Sequence, residues 1–180
     1  NIASDPDERF DGVNVDIEPY SSPDFKIDPS APDSLQVQYL EVLEKMVHRR
    51  DVSGQNLPIG PAIPRWYDTS DSAKNVTFNG QTKWLSEHVQ DMSDYISIMD
   101  YWDAALRGTG GIIPFAQGEI DYAETIGKPN SVVIGVETKD IADSGDPYYI
   151  TFRQQGRTYM EGELRKVADH FRSSPAYGGI

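Results

Sequence analysis

The chain has 180 residues, and its 16 basic against 29 acidic side chains give a net charge of −13, which argues against nucleic acid or an anionic membrane surface as a partner. An apolar fraction of 38 %, with 11 % aromatics, is enough for a buried core and unlike a disordered chain, so one globular unit over residues 1–180 is expected. The absence of cysteine excludes a disulfide scaffold, a thiolate metal site and a cysteine nucleophile. No apolar run approaches the ~18 residues that span a bilayer, and no basic start followed by an apolar segment marks a signal peptide. Asn1 stands where an initiator Met would, so residues upstream are expected to have been removed or left out. The compartment stays open.

In chain order, Gly12-Val13-Asn14-Val15-Asp16-Ile17 alternates apolar with small or polar residues, and Glu18-Pro19 follows; this predicts a buried strand that ends at the proline. Leu35, Tyr39, Leu40, Leu43, Met46 and Val47 then share one helical face. Asp33 or Ser34 is placed to cap that helix, and His48-Arg49-Arg50 favours its C-terminus. Leu57 to Ile63 is a second apolar stretch whose prolines fit a strand only if it is short and near an edge. After a polar segment, Lys83 to Met92 carries Trp84, Leu85, His88 and Val89 at helical spacing and leads into the strand Tyr95 to Met99. A helix from about Phe115 to Ile126 is closed by Gly127 and Pro129, and the strand Ser131 to Val136 follows. The last helix uses Leu164, Val167, Ala168 and Phe171, Pro175 stops it, and Ala176 to Ile180 opens one more strand.

Strand and helix thus alternate four times before a terminal strand, which implies an α/β fold with a parallel sheet and helical crossovers. Links from helices into strands are short. Links leaving strands are long and rich in Tyr, Trp, Asp, Arg and Glu, and such loops form the active face of an α/β barrel. A full eight-stranded barrel typically needs ~250 residues, so a partial (β/α)8 barrel of about five strands, lacking the first ones, is expected. The competing expectation is a complete doubly wound sheet of flavodoxin type, stable as a monomer. Against it, Glu-Pro-Tyr rather than a glycine-rich phosphate loop follows the first strand. A partial barrel leaves sheet edges that a second copy or the missing strands would cover.

The densest chemistry is Phe10-Asp11-Gly12-Val13-Asn14-Val15-Asp16-Ile17-Glu18-Pro19-Tyr20. Side chains alternate along a strand, so Asn14, Asp16 and Glu18 are expected on one face, which in a barrel is the interior. Phe10, Val13, Val15 and Ile17 argue that the strand is buried. Two carboxylates at i, i+2 repel, so one should hold its proton more tightly, as a general acid requires.

This segment resembles glycoside hydrolase family 18, the chitinase-like barrels, whose fourth-strand signature is D-x-x-D-x-D-x-E. Asp11, Asp16 and Glu18 match it and Asn14 departs from it, removing one charge from the stack. Downstream, Ile98-Met99-Asp100-Tyr101-Trp102-Asp103 is similar to the sixth-strand M-x-Y motif of that family, and Tyr177-Gly178-Gly179-Ile180 is similar to the start of its eighth strand. The resemblance implies that Glu18 protonates the glycosidic oxygen. It further implies that Asp16 orients the N-acetyl group of the substrate as that group attacks the anomeric carbon, and that Tyr101 hydrogen-bonds it. This is substrate-assisted retention. A second arrangement resembles clan A glycosidases: Glu18-Pro19 ends the fourth strand as acid/base, and Glu137 ends the seventh as nucleophile, with Ile17 where Asn is expected.

Arg65-Trp66-Tyr67-Asp68 and Tyr101-Trp102-Asp103 each follow a strand, and aromatic faces beside charged groups suit a saccharide cleft. Asn14, Tyr20, Arg65, Trp66, Met99, Asp100, Trp102 and Asp103 are therefore the expected substrate-binding residues. His48, His88 and His170 fall on helices, away from strand ends, so neither a metal nor a cofactor is expected. Asp140, Asp143, Gly145 and Asp146 lack the spacing of a calcium loop, and Asn75-Val76-Thr77 is a glycosylation sequon. The expected function is cleavage of β-linked polysaccharide, N-acetylated sugars included, with Glu18 as acid. A barrel that binds carbohydrate without cleaving it is the alternative, and a polysaccharide substrate favours a secreted or cell-envelope setting.

Overall fold

The computed structural model describes residues 5, 7, 9–141, 145 and 147–180. The elements run β1 (Val13–Val15), α1 (Leu35–Ser53), β2 (Ile59–Pro64), β3 (Val76–Phe78), β4 (Gln81–Lys83), α2 (Leu85–Met92), β5 (Ile96–Met99), α3 (Ile112–Thr125), β6 (Val132–Gly135), α4 (Arg157–Phe171) and β7 (Tyr177–Gly179). Five of the strands form one sheet in the order β1-β2-β5-β6-β7, and β3 pairs with β4 alone. The five are parallel and alternate with helices, the expected α/β pattern. Their spatial order follows the chain without reversal, as barrel strands do. A flavodoxin-type sheet would put its first strand inside and reverse direction at a switch point, so the doubly wound alternative is corrected.

The chain divides into two compact units, one of Asn1–Ile63 with Tyr67–Ile96 and the other of Pro64–Trp66 with Ser97–Ile180. In the first, β1 and β2 pair in parallel with Val13 opposite Ile59, Asn14 opposite Gly60 and Val15 opposite Pro61. The proline-bearing stretch Leu57 to Ile63 forms the short strand β2, which lies next to the edge strand β1 and has a neighbour on both sides; it tolerates Pro61 at the loss of one ladder donor. The buried-strand reading of the first segment is also corrected. β1 is an edge strand of three residues, and only Val15 is buried, with Phe10 76 % and Val13 37 % exposed.

Helix α1 starts where expected, with the Ser34 side chain accepting from the Val37 N–H, and stops at Gly54 in the left-handed conformation (φ 69°). It buries Val37, Tyr39, Leu40 and Leu43, and also Gln36, whose Nε2 donates to the carbonyls of Phe25 (2.7 Å) and Ser72 (2.5 Å). The polar segment before α2 holds a hairpin that the apolar pattern missed. Asn79 (φ 49°) and Gly80 (φ 76°) make its two-residue turn, so Lys83 belongs to β4 and α2 begins at Leu85. His88 is buried and bonds the Val76 carbonyl through Nε2 at 2.9 Å, a structural role. Asp94 anchors the start of β2: its N–H donates to the Ile59 carbonyl (2.9 Å), and its Oδ2 accepts from the Ile59 N–H (2.8 Å) and from Arg50.

In the second unit, α3 begins at Ile112 rather than near Phe115 because Gly111, at φ 116°, lets the chain turn into the helix over the Ala104 and Ala105 carbonyls. β6 and β7 pair in parallel with one irregularity between Val132 and Val133. Ile98, Ile112, Ala116, Ile120, Val132, Ile134, Phe152, Val167 and Phe171 form its core. No helix among the described residues is long and apolar enough to cross a membrane.

Candidate functional site

Most of the candidate residues lie in loops that leave the C-terminal ends of strands, and they are divided between the two units. In the first unit Asn14 lies within β1, while Asp16 and Glu18 stand just past its end; all three are exposed. Pro19 opens a single 3₁₀ turn over Pro19–Ser21, so extended backbone ends there and the turn brings Tyr20 back toward Glu18. The Tyr20 hydroxyl donates to Glu18 Oε1 at 2.5 Å, and the Ser21 hydroxyl and N–H both bond the Glu18 carbonyl (2.8 and 3.1 Å).

Tyr20 is itself held by aromatic neighbours. Its ring meets Phe25 and Tyr67 edge-on at 6.4 and 6.2 Å, Phe25 stacks on Tyr67 at 6.0 Å, and Tyr39 meets Tyr67 at 6.5 Å. Tyr67 is 1 % exposed. Burial, and then the charge of Asp16, raises the Tyr39 phenol above its ordinary range. Burial raises Tyr67 as well, followed by Tyr39, Tyr20 and Glu18. Both phenols therefore keep their protons at neutral pH. Sequence reasoning missed Tyr39 and Tyr67 because the first reads as a core position of α1 and the second as part of a strand-end loop. The half-buried Asp68 follows Tyr67, and its carboxyl is pushed up to about 6, first by burial and then by the charge of Glu87.

In the second unit Met99 ends β5, and Asp100 is fully buried, its N–H shared between the carbonyls of Ile98 and Gly135 (both 3.0 Å). Tyr101 and Trp102 are half-buried, as are Arg65 and Trp66. Trp102 stacks on Phe115 at 5.7 Å and meets Tyr149 at 4.9 Å, and the Arg65 guanidinium lies 4.2 Å from the Phe115 centroid and 5.6 Å from that of Trp102. Such cation–aromatic contacts are favourable once partly desolvated. Asp103 is buried, paired with Arg107 at 2.7 Å and accepting from Gln155 Nε2. Burial raises its carboxyl and Arg107 opposes the rise.

Glu137 lies two residues beyond β6 and is half-buried. Its Oε1 accepts the N–H groups of Thr138 (2.7 Å) and Lys139 (2.6 Å), and its carbonyl accepts from the Phe152 N–H at 2.9 Å. This carboxylate thus stabilises its own loop. Of the acidic loop that follows, Asp143 and Asp146 lie outside the described residues. Among the described residues, no group of three or more His, Asp or Glu side chains could hold a metal ion.

No family model and no curated protein matches the sequence. Among solved structures, the chain is similar to a GH18 chitinase from Cycas revoluta in complex with (GlcNAc)3, at 13 % identity and a TM-score of 0.41, over 72 % of this chain and 37 % of that one. It is also similar to a class V chitinase from Nicotiana tobaccum, at 14 % identity and a TM-score of 0.39, over 72 % of this chain and 36 % of that one. The chain spans little more than a third of the length of these structures.

Proposed function

We propose that this chain carries the acid-bearing part of a glycoside hydrolase that cleaves β-linked polysaccharide, N-acetylated sugars included, with Glu18 as the general acid. The observation that supports this most is the setting of Glu18: an exposed carboxyl beyond a strand end, bonded by the Tyr20 hydroxyl at 2.5 Å and backed by phenols that stay protonated. An acid must reach a solvent-borne substrate in a fixed orientation, and Tyr20 supplies the orientation. In the proposed reaction Glu18 gives its proton to the glycosidic oxygen as the bond to the anomeric carbon breaks. The substrate acetamido oxygen attacks that carbon, and Asp16 holds the acetamido N–H. Water then opens the cyclic intermediate, returning a proton to Glu18. Asn14 leaves Asp16 with one charge fewer beside it than the D-x-x-D-x-D-x-E pattern has.

In the two-carboxylate reading Glu137 would attack through Oε2, because its Oε1 accepts two loop N–H groups. Substrate assistance is the reading we put first because Asp16 and Glu18 stand together just past the end of β1. The test is hydrolysis of chitin oligosaccharides and of β-glucan oligosaccharides by the protein and by Glu137→Gln. Substrate assistance predicts cleavage of the N-acetylated series only, with Glu137→Gln retaining activity. Cleavage of the unacetylated series, abolished by Glu137→Gln, would establish the two-carboxylate scheme instead.

A further inference from the structure

In the second unit three rings form a graded stack: Phe115 is covered by Arg65, Trp102 is half-buried, and Tyr149 is 39 % exposed. Gly110 lets the Trp102 loop close on the stack, since a Cβ there would lie 3.0 Å from the indole Cη2. Asp103 fixes the outer ring. Its N–H donates to the Tyr149 carbonyl at 2.8 Å, tying the loop after β5 to the loop after β6, while its buried carboxylate binds Arg107 and Gln155. From α4, Glu163 accepts the Ala105 N–H at 2.8 Å and pairs with Lys166 at 2.5 Å, which pins the same loop from its other side. The rings are thus held in place before any ligand arrives, which lowers the ordering cost of binding.

We infer that Tyr149, backed by Trp102, is a saccharide-stacking platform and that Asp103 is its positioning residue; this rests on the carbohydrate reading above. Tyr148 beside it is 62 % exposed. Near the rings, Arg107 pairs with Asp103, Lys166 with Glu163 and Arg153 with Asp140. The platform therefore offers an uncharged amphipathic ring, matched to a neutral pyranose with one C–H face and hydroxyls at its rim.

The test is isothermal titration of the protein with chitotetraose and with cellotetraose, using Tyr149→Ala, Tyr149→Phe, Asp103→Asn and the double variant Asp103→Asn/Tyr149→Ala. Tyr149→Ala is expected to weaken binding roughly tenfold, and Tyr149→Phe to restore it. Asp103→Asn is expected to weaken binding and to alter the near-ultraviolet circular dichroism of the ring pair, yet to add nothing once Tyr149 is Ala. Wild-type affinity in Tyr149→Ala would overturn the platform, as would a full Asp103→Asn effect in the double variant for the positioning role. Glu18-dependent cleavage with an unchanged Tyr149→Ala refutes the platform alone. Tyr149-dependent binding without cleavage refutes the hydrolase reading alone, and a protein that binds neither oligosaccharide refutes both.

Discussion

Gln36 connects the helix α1 to the loops that hold Tyr20, so Gln36→Leu should loosen the candidate site from below. The side chain is fully buried, and its Nε2 bonds two carbonyls, those of Phe25 and Ser72. Leucine has similar bulk but no donor, which leaves both acceptors unpaired. The Phe25 bond is buried and should cost about 2 kcal/mol, and the partly exposed Ser72 bond about 1 kcal/mol. The amide Oε1 is buried with no partner among the described residues, so its removal offsets about 1 kcal/mol. The net loss is about 2 kcal/mol, or a fall in Tm of about 4–8 °C for a chain of this size. Urea and thermal unfolding followed by circular dichroism would measure it, with Gln38→Leu on the exposed face of the same helix as control. Because Phe25 stacks on Tyr67 and meets Tyr20, the tyrosine signal in the near ultraviolet should fall as well. A Gln36→Leu protein within about 0.5 kcal/mol of its parent would refute the reasoning, since that is the range of an ordinary surface substitution.

Asp68 has a carboxyl raised to about 6 from its model-compound value of 3.8. The unfolded chain gives up this proton first, so the stabilisation by protonated Asp68 is complete below about pH 4 and is lost as pH rises through about 6. Asp68→Asn should therefore stabilise the fold at pH 7.5 by about 1 kcal/mol, after allowance for its partial exposure, and do nothing at pH 3.5; equal effects at both would contradict the assignment. Asp94→Ala should cost about 1 kcal/mol in urea unfolding through loss of the charge-assisted bond to the Ile59 N–H, and Arg50→Met should cost less, because the ion pair is partly exposed. Equal costs for the two would show that the ion pair, and not the backbone bond, carries the energy.

Much of the layout was legible because periodicity reports burial, and parallel strands with crossover helices have strong periodicity. Ser34 marked the start of α1 by the chemistry of caps, whereas the helix runs past the His48-Arg49-Arg50 segment to a left-handed Gly54 that the apolar pattern did not single out, and Gly127 with Pro129 closed α3. The β3–β4 hairpin was missed although Asn79-Gly80 is a hairpin turn, because its strands are three residues long and one of them is almost wholly polar. The exposure of Val13 was not legible either. An edge strand and an inner strand can share one sequence pattern, and strand order is decided by the whole sheet. At the candidate sites, sequence singled out the carboxylates but not the phenols near them, since Tyr39 at a core helix position gives no local sign that the charge of Asp16 reaches it. Tyr149 and Gln155 were missed for a similar reason. They meet Trp102 and Asp103 only through contacts between distant loops.

The claim at the centre is that Glu18 acts as an acid on a glycosidic bond. The most direct measurement is product formation from chitin oligosaccharides by the protein that carries this chain, against Glu18→Gln, with oligosaccharide affinity measured on both. Glutamine keeps the shape and can still meet the Tyr20 hydroxyl, but it has no proton to give. The account predicts a fall in kcat of at least about a hundredfold with affinity within about threefold. Cleavage by Glu18→Gln at the parent rate would contradict it.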